Sequence, residues 1–74
     1  MVNHTTETVE IRVNGEPVKV PGGLNIATLL GHLELAPERV AVELNRRIVR
    51  QPEWESAEIQ SGAELEIVQF VGGG

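Results

Sequence analysis

Val9, Ile11 and Val13 alternate with Glu10 and Arg12, and the alternation runs straight into Asn14-Gly15. A period of two puts the three apolar side chains on one face of a strand. Asn-Gly then reads as a two-residue hairpin turn, because both positions tolerate positive φ. The chain must return as Glu16-Pro17-Val18-Lys19-Val20, with Val18 and Val20 on the buried face. Pro17 has no N–H to give to a ladder, so this second strand belongs at a sheet edge. A hairpin with one apolar face needs something to cover that face.

The next segment supplies the cover. Pro21-Gly22-Gly23 breaks the strand, and Ile26, Leu29, Leu30 and Leu33 follow at helical spacing within NIATLLGHLEL. Asn25 is the expected N-cap. Gly31 sits inside the helix, either for a close backbone approach or merely tolerated. Pro37 places an end nearby. Residues 39–45, RVAVELN, alternate again, with Val40, Val42 and Leu44 on one face. Asn45-Arg46-Arg47 reads as a tight connection and Ile48-Val49-Arg50 as a short strand. Residues 51–61 are expected to be irregular, or to form a short helical turn around Trp54. Gly62 opens the last strand, AELEIVQFV. The order is β-β-α-β-β-β, a small α+β sheet with one helix across it. The first and last strands carry the cleanest alternation and are expected near the sheet centre.

Seventy-four residues allow one domain, with residues 1–7 as a loose lead-in, 8–71 folded and 72–74 a flexible tail. Six basic against eleven acidic residues give a formal charge of −5. That balance argues against a nucleic-acid surface and against an anionic membrane. The chain has no Cys, which excludes disulfides and thiolate chemistry. The lead-in does not read as a secretory signal, so the cytoplasm is the expected compartment.

Conventional sites are hard to assemble from these residues. His4 and His32 lack a second ligand at metal spacing, so no metal site is expected. Ser56 and Ser61 have no evident base. Gly22-Gly23 precedes a helix but reads as a plain turn. The carboxylates are scattered along polar faces.

The end of the chain is different. In the last strand Leu65 and Ile67 share the face of Gln69, whereas Glu64, Glu66, Val68 and Phe70 share the other. Either the strand twists and Phe70 enters the core, or an apolar patch is left exposed at the root of a tail. Val71, Gly72, Gly73 and Gly74 can stretch about 13–14 Å with almost no side-chain volume. A terminal carboxylate titrates near ~3.3–3.7 and is ionised at neutral pH. Adenylation would convert this poor electrophile into an activated acyl group; a frayed terminus is the other reading of the same residues, and the residues alone do not rank one above the other.

The stretch VAVELNRRIVRQPEWESAEIQSGAELEIVQFVGGG (residues 40–74) resembles the ThiS family of thiamine-biosynthesis sulfur carriers. The matching features are VAVELN followed by Ile48-Val49, then Trp54, then the Gly62 strand ending in IVQFVGGG. The first half fits too, through VNGEPVKV, the Pro-Gly break and a helix carrying ATLL. Ala63 departs from the Asp usual in the family after that glycine.

The resemblance implies a ubiquitin-like β-grasp: a mixed four- to five-stranded sheet packed on one helix, with a flexible C-terminal Gly tail. It implies a protein co-substrate and not an enzyme. An E1-like adenylating enzyme would use ATP-Mg²⁺ on Gly74, and a persulfide donor would convert the acyl-adenylate to a thiocarboxylate for thiazole synthase. The carrier itself would bind no cofactor. Gly72 and Gly73 would let the end enter both active sites, and Val68, Phe70 and Val71 are the expected docking patch. Arg46 and Arg47 read first as a solvated turn. Carriers for molybdopterin or tRNA thiolation, and ubiquitin-like protein modifiers, share the tail and remain alternatives.

Overall fold

A computed structural model of the chain describes residues 7–71. The expected lead-in, save Glu7, and the glycine tail lie outside the described residues. The elements in chain order are β1 (Thr8–Val13), β2 (Glu16–Pro21), α1 (Ile26–His32), a 3-10 turn at Pro37–Arg39, β3 (Val40–Leu44), β4 (Arg47–Val49), a second 3-10 turn at Gln51–Ser56, and β5 (Glu64–Gln69). They form one five-stranded sheet in the order β2-β1-β5-β3-β4. β5 is the middle strand, parallel to β1 and antiparallel to β3. The last strand therefore does lie at the centre with the first beside it, and the Pro17 strand lies at an edge.

Two tight hairpins frame the sheet. Val13 pairs with Glu16 across Asn14-Gly15, whose φ values are 54° and 85°. Both central residues at positive φ match the turn whose twist suits the flanking strands. Leu44 pairs with Arg47 across Asn45-Arg46, at φ 52° and 70°. Arg47 thus belongs to β4 and Arg50 does not, which moves the expected strand back by one residue. The reason is that a two-residue turn already closes the hairpin.

α1 begins with a reciprocal cap. The Thr28 N–H donates to Asn25 Oδ1 at 2.8 Å, and the Asn25 N–H donates to Thr28 Oγ1 at 2.9 Å. Two otherwise orphaned donors are satisfied at once. Ile26, Leu29 and Leu30 are fully buried against the sheet, and Leu33 is half-buried at the C-cap. The helix stops before Pro37 is reached. Glu34 turns to φ 62°, its N–H donates to the Gly31 carbonyl at 3.1 Å, and the Leu35 N–H donates to the Leu30 carbonyl at 2.9 Å. These are the paired bonds of a Schellman cap, with Glu where Gly is usual. Gly31 is exposed, and a Cβ built on it would meet nothing within 4 Å. The close-approach explanation for this glycine is thereby removed.

The core lies between α1 and the inner sheet face. Ile11, Val20, Val42, Leu65 and Ile67 line the sheet side. Burying each such side chain stabilises by about 1.5–3 kcal/mol. Trp54 closes one end of this core: it is 4% exposed, and its indole N–H donates to the Val49 carbonyl at 2.8 Å. The bond ties the second 3-10 turn to β4. The following segment is tied to the helix start, where the Ile26 N–H donates to the Ala57 carbonyl at 3.0 Å and the Ile59 N–H to the Leu24 carbonyl at 2.8 Å. Ala63 is buried as β5 begins.

Because Gly31 has free space in a helical conformation, Gly31→Ala should stabilise the protein by about 0.4–1 kcal/mol, raising Tm by roughly 2–6 °C. A melting curve checks this, and a lowered Tm would contradict the assignment. Trp54→Ala should cost about 3–5 kcal/mol. Chemical denaturation followed by far-UV circular dichroism measures that loss.

Candidate functional site

The outer face of the sheet, opposite α1, follows from strand parity. On β5 the inward side chains are Leu65 and Ile67, both buried. The alternate residues Glu64, Glu66 and Val68 face outward and are exposed. Val68 is 57% exposed, Phe70 55% and Val71 87%. Phe70 therefore does not turn into the core, and of the two readings open from the sequence the exposed patch is the one observed. Its backbone is held in line with the sheet, since the Phe70 N–H donates to the Arg39 carbonyl at 2.7 Å. Val68 and Phe70 thus leave neighbouring apolar side chains exposed at the end of β5.

The register extends this patch beyond the three expected residues. Ala41 lies directly opposite Val68. Ile48, 75% exposed, lies opposite Glu43 and therefore diagonal to Ala41 on the same face. Sequence reasoning placed Ile48 on a short strand without giving it a role. The signal was present: once Asn45-Arg46 closes the hairpin, Ile48 shares a face with Glu43. The polar part of the face is made by Glu43 and Glu66, directly opposite one another, with Glu64 beyond. Arg12 and Arg46 line a shallow depression with these three carboxylates. Arg46 takes a backbone role in the turn at φ 70°, and Arg47 is an exposed β4 residue.

The remaining sequence candidates separate from this face. Gly72, Gly73 and Gly74 lie outside the described residues. His4 lies outside them as well, and His32 is exposed on α1. Ser56 Oγ donates to the Glu53 carbonyl at 3.1 Å, the local bond of a turn residue. Gly22 and Gly23 form a turn, with Gly23 at φ 87°, and the α1 start is already capped by Asn25. Among the described residues, no three His, Asp or Glu side chains converge as a metal site. Among the described residues, no helix is long and apolar enough to cross a membrane.

A five-stranded mixed sheet in the order 2-1-5-3-4, gripping one helix, with its central strand running out toward the C-terminus, defines a ubiquitin-like β-grasp protein. The family model for the ThiS family matches residues 11–74, and the chain belongs to that family. The crystal structure of the thiamine biosynthesis protein ThiS from Geobacter metallireducens superposes with a TM-score of 0.77 at 35% identity, covering 89% of this chain and all of that one. A thiazole synthase from Magnetococcus marinus is 38% identical over 66 residues, which are 89% of this chain and 20% of that protein. The chain thus spans about a fifth of the length of that relative. An uncharacterized protein, ycf40, of Porphyra purpurea is 32% identical over 92% of this chain and 96% of its own length.

Exposure of the outer apolar side chains has an energetic consequence. Phe70→Ala and Val68→Ala should each change stability by less than about 0.5 kcal/mol, whereas Leu65→Ala on the opposite face should cost about 2–5 kcal/mol. Urea titration distinguishes them, and a Phe70→Ala loss equal to that of Leu65→Ala would place Phe70 in the core.

Proposed function

We propose that the chain is a sulfur carrier for thiamine thiazole synthesis, with the Gly74 carboxylate as its working group. The observation that carries this reading is the exposed apolar face at the root of the tail, on a protein of the ThiS family. Support for the client comes from the thiazole synthases of Magnetococcus marinus and Paramagnetospirillum magneticum. In each, a segment similar to this chain makes up 20% of the protein. A domain of this type and thiazole synthase belong, on this reading, to one task.

The chemistry runs through partners. A carboxylate oxygen of Gly74 attacks the α-phosphorus of ATP on an E1-like adenylating enzyme, with Mg²⁺ and loss of pyrophosphate. The acyl-adenylate that forms has AMP as its leaving group. The terminal sulfur of a persulfide donor displaces AMP, and a thiol then cleaves the S–S bond to leave the thiocarboxylate. Thiazole synthase receives that sulfur. Gly72 and Gly73 give the end its narrow profile, since a residue without Cβ admits close approach of other backbones. Val68, Phe70 and Val71, with Ala41 and Ile48, form the surface on which the partners dock. The chain binds no cofactor of its own in this scheme, and it acts as a co-substrate.

Removal of Gly74 should reduce ATP–pyrophosphate exchange by the adenylating enzyme to background while the melting curve stays within about 0.5 kcal/mol of the parent. Phe70→Ala should instead raise KM by roughly tenfold with kcat little changed, because it removes docking and not the reacting group. Exchange that persists at the parental rate without Gly74 would overturn the proposal.

A further inference from the structure

β5 is held on its β3 side along its length, but β1 stops short of its end. β3 pairs with it from Leu65 to Gln69, and the Phe70 N–H donates to the Arg39 carbonyl at 2.7 Å. On the other side β1 pairs only at Arg12 with Glu64 and at Val13 with Leu65. The bonds there climb two residues at a time. The Arg12 N–H donates to the Ala63 carbonyl at 2.9 Å, and the Asn14 N–H donates to the Leu65 carbonyl at 2.8 Å. The next step falls at Ile67, where the main chain of β1 has already turned into the hairpin at Asn14, φ 54°.

Asn14 supplies that step from its side chain. The Ile67 N–H donates to Asn14 Oδ1 at 2.7 Å, and Asn14 Nδ2 donates to the Ile67 carbonyl at 3.1 Å. Ile67 is a buried residue, and buried backbone groups without partners are costly. The turn alone does not demand asparagine, since glycine meets positive φ at no steric cost. The second hairpin offers a comparison. Asn45 holds the same turn position at φ 52°, and its Oδ1 accepts from the Glu64 N–H at 3.0 Å. Asn45 thus grips the start of β5, whereas Asn14 grips it just before exposed Val68 and Phe70.

We propose that Asn14 is a positioning residue for the carrier's reaction: its side-chain amide fixes the line on which β5 leaves the sheet, and so the way Val68, Phe70 and the chain end are presented together to a partner. The inference rests on the carrier reading above and adds a residue outside the apolar face and the tail. A strand bonded on one side alone can pivot about that ladder, and a bond on the second side removes the motion. Segments with fewer bonds open locally at lower free energy than the core. A segment ordered before docking loses less entropy on binding.

Asn14→Gly keeps the turn and removes only the amide side chain. In the free variant, hydrogen exchange at the Phe70 amide should quicken about tenfold more than at the Leu30 amide of α1, which reports the shared loss of stability. The Phe70 partner, Arg39, is unaltered by the substitution. In ATP–pyrophosphate exchange with the adenylating enzyme, KM for the variant should rise roughly fivefold at parental kcat. Asn45→Gly, the matching change at the strand start, should leave both the Phe70 amide and KM near parental. Asn14→Asp keeps an acceptor for the Ile67 N–H and loses the donor to its carbonyl. Its Phe70 exchange, expected to quicken in the same way, decides the matter if the glycine variant does not fold. Equal changes at Phe70 and Leu30, or one KM for both glycine variants, would reduce Asn14 to a structural role and overturn the inference while leaving the carrier reading intact. Absence of pyrophosphate exchange with the unsubstituted chain overturns both.

Discussion

β5 carries the rest of the structure because it is hydrogen-bonded on both sides where it begins and, among the described residues, on one side where it leaves. Its start is held between β1 and β3, with Leu65 and Ile67 buried under α1. A strand inserted last in sequence at the centre of a sheet is a long-range pairing, and its apolar face supplies part of the core it completes. Slip its register by one residue and Leu65 and Ile67 would exchange faces with Glu64, Glu66 and Val68. The same register that buries those two residues therefore exposes Val68 and Phe70. Stability and the presentation of the outer face follow from one alignment.

Much of this was legible in the sequence because local chemistry and tertiary context agree. Asn14-Gly15 specifies its turn through positive φ, Asn25 specifies the helix start through its side-chain oxygen, and Pro17 forces an edge strand. Where the sequence misled, a residue took a conformation that its type does not advertise. Arg46 occupies a positive-φ turn position and Glu34 ends α1 in the left-handed region, both without glycine. The Asn45-Arg46 turn moved β4 by one residue, and the helix closed ahead of Pro37. The exposure of Phe70 was undecidable from one strand alone, since an alternating pattern does not say whether its end twists. The backbone bond to Arg39, 31 positions earlier, holds residue 70 in line with the sheet, and its side chain is left 55% exposed.

Ile48 and Asn14 were missed as contributors to the site for a related reason. Ile48 joins the apolar face only through the registers of two strand pairs, β4 on β3 and β3 on β5. Asn14 was read as a turn residue, which it is, but its amide also reaches 53 positions along the chain to Ile67. A single residue thus turns the first hairpin through its backbone and, through its side chain, bonds the β1 side of the central strand at Ile67. Glycine at that position would satisfy the turn and leave Ile67 unpaired. The tail glycines belong to the opposite case, where sequence speaks and geometry does not: Gly72, Gly73 and Gly74 enter the account through their chemistry and the family's match over residues 11–74.

The account's central claim is that the domain is a handle and the reacting group is its terminal carboxylate. The most direct measurement is intact-mass spectrometry with fragment mapping. The unsubstituted chain is incubated with the adenylating enzyme, ATP-Mg²⁺ and a persulfide donor. One exchange of oxygen for sulfur, confined to the fragment that contains Gly74, is the expected result. An unchanged mass under conditions where the enzyme forms acyl-adenylate on a known carrier, or sulfur placed on any other fragment, would contradict it.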